Sequence, residues 1–148
     1  MAQSTPAASH RSAASALAGC PFFCETGDRM PLDLNLLVLR CRDVELTRHF
    51  YEKLGLIFAE ERHGSGPRHY AWEKDGFVLE LYQATAGQLP DNVRLGFSTP
   101  VLTDVSGAIR HNPEVTMLKP PYATADRLVL LLQDPDGRKV EVSQPVHR

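Results

Sequence analysis

The sequence has no excess of basic charge, no long apolar run and no even set of cysteines. Sixteen Lys and Arg stand against eighteen Asp and Glu, a net charge of −2, so no field exists to hold a phosphate backbone by counterion release, and nucleic acid is not expected as a partner. The apolar stretch at residues 128–132 stops at Gln133 and Asp134, far short of the roughly 18 residues a spanning helix needs. No integral membrane segment is expected. Three cysteines, Cys20, Cys24 and Cys41, do not make the disulfide framework of a small secreted domain, and Cys20 and Cys24 lack a second Cys/His pair at zinc spacing. A reducing, cytoplasmic compartment is the expectation. What is present is ordinary: 148 residues, 43% hydrophobic and 23% charged, the size and composition of one globular domain.

Residues 1–30 differ from the rest. Eleven of them are Ala or Ser and no helical or alternating period can be counted, so this stretch buries too little to offset its ordering entropy and reads as a disordered tail. It is poor in acids, as organelle transit peptides are, but carries only Arg11 before Arg29. Ordered patterning begins at Pro31, which makes Met30 a candidate natural start and 31–148 the expected domain.

Within that domain the apolar run LNLLVLRC at 34–41 suits a strand buried on both faces. Asp43 is placed as an N-cap, Val44, Thr47, Phe50, Tyr51 and Leu54 recur at spacings of three and four, and Gly55 follows as the C′ residue of an amphipathic helix. Strands are predicted over 57–61, 68–73 and 77–83, the last two joined around Lys74-Asp75-Gly76. After a polar connection the order repeats: strand 93–98, helix 103–110, then strands 114–118, 127–133 and 139–143, with Asp134-Pro135-Asp136-Gly137 as a turn between the last two. The chain therefore reads as two β-α-β-β-β units. By the same alternation Cys41, Phe50, Leu54, Leu79, Leu81, Val140 and Val142 are core. His49 is read as a solvated helix residue and His63 as a turn residue.

Three segments, VLRCRDVELTRHFYEKLGL, FVLELYQ and DPDGRKVEVSQ, resemble the vicinal oxygen chelate superfamily, which includes glyoxalase I, bleomycin-resistance proteins, extradiol dioxygenases and methylmalonyl-CoA epimerase. The similarity covers about residues 32–145. It implies an α+β fold in which two βαβββ modules form a curved mixed sheet with a concave cleft, and it implies a homodimer. In metal-using members four inward side chains bind a divalent ion (Mn, Ni, Zn or Fe). Those positions fall here on Leu36, Glu80, Arg94 and Glu141. Leucine has no donor, and a guanidinium has no free lone pair.

The resemblance thus implies a cleft whose usual metal is not expected. Two carboxylates facing one cleft repel unless a cation lies between them, and the expectation is that Arg94 donates to both Glu80 and Glu141, taking the ion's role. His69 is a further candidate ligand: if Asp75-Gly76 is a two-residue turn, His69 faces Tyr82 and points into the cleft, whereas a three-residue turn sends Tyr70 and Trp72 there instead. Arg40 lies four residues beyond Leu36 on the same strand face. It is similar in place to the arginine that holds a glutathione carboxylate in glyoxalase I, so it is either an anion anchor or a rim arginine with its head in water. Ala84 stands where that enzyme has a glutathione-binding Asn, so true glyoxalase I activity is not expected.

The lining expected for a small organic ligand is Leu36, Val38, Arg40, Tyr82 and Arg94, with Tyr122, in the connection before the seventh strand, as a lip. A flat body with an anionic group suits it. Two Arg against two Glu give a cationic bleomycin-like drug no particular attraction. The leading expectation is a small-molecule-binding protein of the glyoxalase/bleomycin-resistance kind. The alternative is a metal-dependent lyase, isomerase or dioxygenase using Glu80, Glu141 and His69, and a third reading is a domain that only pairs with a partner.

Overall fold

The computed structural model describes residues 32–146. The readings of residues 1–30, of Cys20 and Cys24, and of a start at Met30 lie outside the described residues. In chain order the elements are β1 (Leu36–Cys41), α1 (Val44–Lys53), β2 (Ala59–Glu61), β3 (His69–Lys74) and β4 (Phe77–Gln83), then β5 (Leu95–Ser98), α2 (Leu102–Ile109), β6 (Thr116–Ala123), β7 (Arg127–Gln133) and β8 (Lys139–Pro145). They form two four-stranded mixed sheets, ordered β1-β4-β3-β2 and β5-β8-β7-β6. Each repeats the same βαβββ plan, with a parallel pair at one edge and antiparallel pairs elsewhere.

Local chemistry sets the first module. The Asp43 side chain accepts from the Leu46 N–H and starts α1, and Gly55 takes φ 98° just past its end. Asp75 and Gly76 both have positive φ (52° and 80°), the backbone of a two-residue hairpin turn. Lys74 therefore pairs with Phe77, Ala71 with Glu80 and His69 with Tyr82. Of the two registers left open by the sequence, the structure takes the one that aims His69 with Glu80 and Tyr82.

Side chains on one face of each sheet, among them Leu39, Cys41, Leu79 and Leu81 in the first and Leu130, Leu132, Val140 and Val142 in the second, join Phe50, Tyr51, Leu102 and Ile109 of the two helices in one core. Leu54 packs on its margin. Two expectations need correction. β1 is not buried on both faces: Leu39 and Cys41 are buried, but Leu36 is 47% exposed, because β1 is an edge strand with only one side in the core. Tyr122 does not lie in a connection. β6 runs through Pro120 and Pro121 as an edge strand with register shifts, where missing N–H donors are tolerated, and Tyr122 pairs with Val129 inside it.

The Asp-Pro-Asp-Gly turn is more than a reversal. Arg138, directly after it, is completely buried; its guanidinium donates to Asp91, Asp134 and Asp136 and to the Arg40 carbonyl at 2.5 Å. Asp134 also accepts from the Tyr51 hydroxyl, and Asp136 from Thr47 and the Arg42 N–H. The second module's last hairpin is thereby tied to β1 and α1 of the first.

Burial opposes ionisation of Asp91, but its hydrogen bonds from Arg138 outweigh that and hold its carboxyl below the ordinary value. Glu45 is lowered likewise, chiefly by the hydrogen bond it accepts from the Tyr70 hydroxyl. A carboxyl with a lowered folded-state pKa contributes stability above its unfolded value, and loses it as pH falls through the folded value. Acid titration followed by circular dichroism is therefore expected to show stability flat near neutrality and declining below about pH 4; equal stability at pH 7 and pH 3 would contradict this.

Candidate functional site

The core uses one face of the first sheet, and the other face carries charged and aromatic side chains. On that outer face the register lines up Arg40, Tyr82, His69 and Glu61 in one transverse row, one from each strand. The Arg40 guanidinium lies 4.6 Å from the Tyr82 ring centroid, and the His69 ring stacks on Tyr82 at 4.4 Å with 7° between planes. Arg40 is thus held by a cation–π contact. Among the described residues no carboxylate lies within ion-pair distance of its guanidinium. Val38 and Glu80 occupy the adjacent row, and Leu36 the next. Burial, then the Glu80 carboxylate, push the Tyr82 hydroxyl's pKa up, so it stays neutral.

Glu80 faces His69: Oε1 lies 3.7 Å from the imidazole Nε2. Glu141, on β8, pairs with Arg94 at 2.5 Å. The expectation that Arg94 neutralises both acids is therefore half right. Gly96 is the partner of Glu141, so Arg94, two residues earlier on the same side, reaches Glu141 within its own sheet. Glu80 belongs to the other sheet, and the two sheets share no strand pairing. The four positions that the resemblance assigns to a metal do not fit one, since Leu36 offers no donor and Arg94 is a cation already engaged by Glu141.

Tyr122 lies on the outer side of the second sheet, opposite Val129, with the Lys119 ammonium 3.7 Å from its ring centroid. Cys41 is fully buried, and burial pushes its thiol up to about 12, which fits a core residue and not a nucleophile. An open pocket of about 420 Å³ lies apart from this face, lined by Trp72, Phe77, Phe97, Val105 and Val142. Its lining is mostly apolar, with Lys74 the one charged residue among the described residues that line it.

Sequence reasoning passed over two groups. His63 follows the end of β2, and its ligand nitrogen, a Glu61 carboxylate oxygen and a His69 nitrogen lie within 4.8 Å of one another. The signal was the Glu61-x-His63 alternation, which keeps both side chains on the side of the strand that faces His69. Arg138 was hidden within a turn motif.

Solved structures resemble this fold over most of the chain. TnmS3, an antibiotic-binding protein from a Streptomyces species, is 20% identical, with a TM-score of 0.65 over 80% of this chain and 99% of its own. A glyoxalase/bleomycin resistance protein/dioxygenase superfamily member from Sphaerobacter thermophilus is 18% identical, with a TM-score of 0.61 over 78% of this chain and 99% of its own. The chain has the vicinal oxygen chelate fold. A third example of that fold, a glyoxalase/bleomycin resistance protein from Albidiferax ferrireducens, is 19% identical, with a TM-score of 0.59 over 76% of this chain and 98% of its own. No protein-family model and no curated protein sequence matches the chain. The vicinal oxygen chelate fold hosts many activities, so the site decides the function.

Proposed function

We propose that the chain binds a small organic molecule with a flat body and an anionic group on the outer face of its first sheet, without a metal at the family's four positions. The observation that carries this is the contrast between two arginines: Arg94 is consumed by Glu141, while the Arg40 guanidinium has no carboxylate partner among the described residues and rests on Tyr82. A guanidinium without a counter-ion beside an aromatic ring recognises a carboxylate or sulfonate attached to a ring system. The antibiotic-binding activity stated for TnmS3 supports ligand sequestration as a use of this fold. The reading includes a homodimer. Leu36 on β1, and Met117 and Leu118 on edge strand β6, are exposed apolar side chains that a second copy would cover.

A fluorescence titration with anilinonaphthalene sulfonate, a flat aromatic anion, in the presence of a metal chelator tests the reading. One saturable site is expected, and Arg40→Ala is expected to weaken it about 10- to 100-fold, the worth of a charge-assisted hydrogen bond. Binding that needs an added metal, or that Arg40→Ala leaves unchanged, would refute it.

A further inference from the structure

Buried His69 is 1% exposed, yet its Nε2 has no hydrogen-bond partner. Its Nδ1 faces the Pro67 carbonyl oxygen at 3.4 Å. A carbonyl can only accept, so the proton sits on Nδ1 and the buried Nε2 keeps a lone pair without a donor, the arrangement that prepares an imidazole to ligate a metal. That lone pair looks at acceptors: Glu61 Oε2 at 3.8 Å and Glu80 Oε1 at 3.7 Å. A neutral imidazole nitrogen facing two carboxylates without a donor is unfavourable unless a cation enters.

We propose that Glu61, His63 and His69 bind a divalent transition-metal ion at the outer edge of the first sheet, a site separate from the family's four positions. β2 and β3 pair Glu61 directly with His69, and His63 lies two residues beyond Glu61. The His63 Nε2 is 3.6 Å from Glu61 Oε2, and the two imidazole rings lie 5.1 Å apart. Ligand atoms sharing one tetrahedral zinc are separated by about 3.4 Å, given bonds of about 2.0–2.2 Å. Small rotations of His63 (73% exposed) and Glu61 (42% exposed) close the difference around the fixed His69. Two imidazoles and a carboxylate suit zinc, nickel or ferrous iron and not magnesium or calcium. Glu80, whose Oε1 lies 3.7 Å from His69 Nε2 but which is outside the three-residue cluster, is placed to accept a hydrogen bond from a metal-bound water.

The proposal goes beyond the ligand reading, because the dye titration above is run in chelator and this one with metal alone. Calorimetric titration of zinc into the chelator-stripped full chain, carrying Cys20→Ser and Cys24→Ser so that those thiols contribute nothing, is expected to show one ion per chain. His63→Ala, at an exposed position that leaves folding intact, is expected to weaken binding at least tenfold. Glu61→Gln should do the same, and His49→Ala on α1 should change nothing. Absence of one-to-one zinc binding would overturn the proposal; affinity unchanged by His63→Ala would overturn it equally.

Discussion

Replacing Arg138 with methionine is expected to lower the unfolding free energy by about 3–5 kcal/mol, because it removes the cation that pairs with Asp91, Asp134 and Asp136 and leaves buried charge uncompensated. Asp134 and Asp136 are almost wholly buried, and each already holds further donors, Tyr51 in one case and Thr47 and Arg42 in the other. The Arg40 carbonyl loses its donor at the same time. Urea denaturation should show the midpoint falling with little change in slope, and the melting temperature should drop by on the order of 10 °C. Arg138→Lys keeps the charge but not the fork that reaches Asp91, Asp134 and Asp136 together, so it should recover only part of the loss. A methionine variant as stable as the parent would mean that this cluster does not join the two modules.

The second large effect is expected at Tyr82. Its ring lies between the stacked His69 imidazole and the Arg40 guanidinium, so Tyr82→Ala removes the contact that holds Arg40 in place and leaves His69 without its stacking partner. Dye affinity should fall by about 10- to 100-fold, since a lost aromatic contact adds to a lost charge-assisted hydrogen bond. Tyr82→Phe keeps the ring and should retain most of the binding. Equal losses in the two variants would shift the role to the hydroxyl; no loss in Tyr82→Ala would remove the sheet face as the binding surface.

Much of the fold was legible because local rules and the global plan agree. Asp43 caps α1, Asp75 and Gly76 set the hairpin register, and Leu79, Leu81, Val140 and Val142 face the core as their alternation predicts. The face shared by Leu36, Val38, Arg40, Glu80 and Tyr82 followed from the same period of two. What alternation does not encode is which sheet meets which. Arg94 and Glu141 share a face of one sheet and pair; Glu80 sits in another sheet, and nothing in the spacing of these residues says so. The Arg138 cluster escaped for a related reason: Asp91 and Arg40 are distant in sequence and meet it only once the modules pack. β1 misled because a run of leucines looks alike whether the second face is buried or left half open as a surface. His63 lay just past a strand end, where the pattern stops carrying information.

The central claim is that recognition occurs on the Arg40–Tyr82–His69 row without metal. Backbone amide chemical-shift mapping of the isotope-labelled chain, titrated with anilinonaphthalene sulfonate in chelator, tests it most directly. The account predicts that the largest shifts fall on residues 38–40, 69–71 and 80–82. Shifts concentrated instead around Trp72, Phe77 and Phe97, which line the apolar pocket, would contradict it.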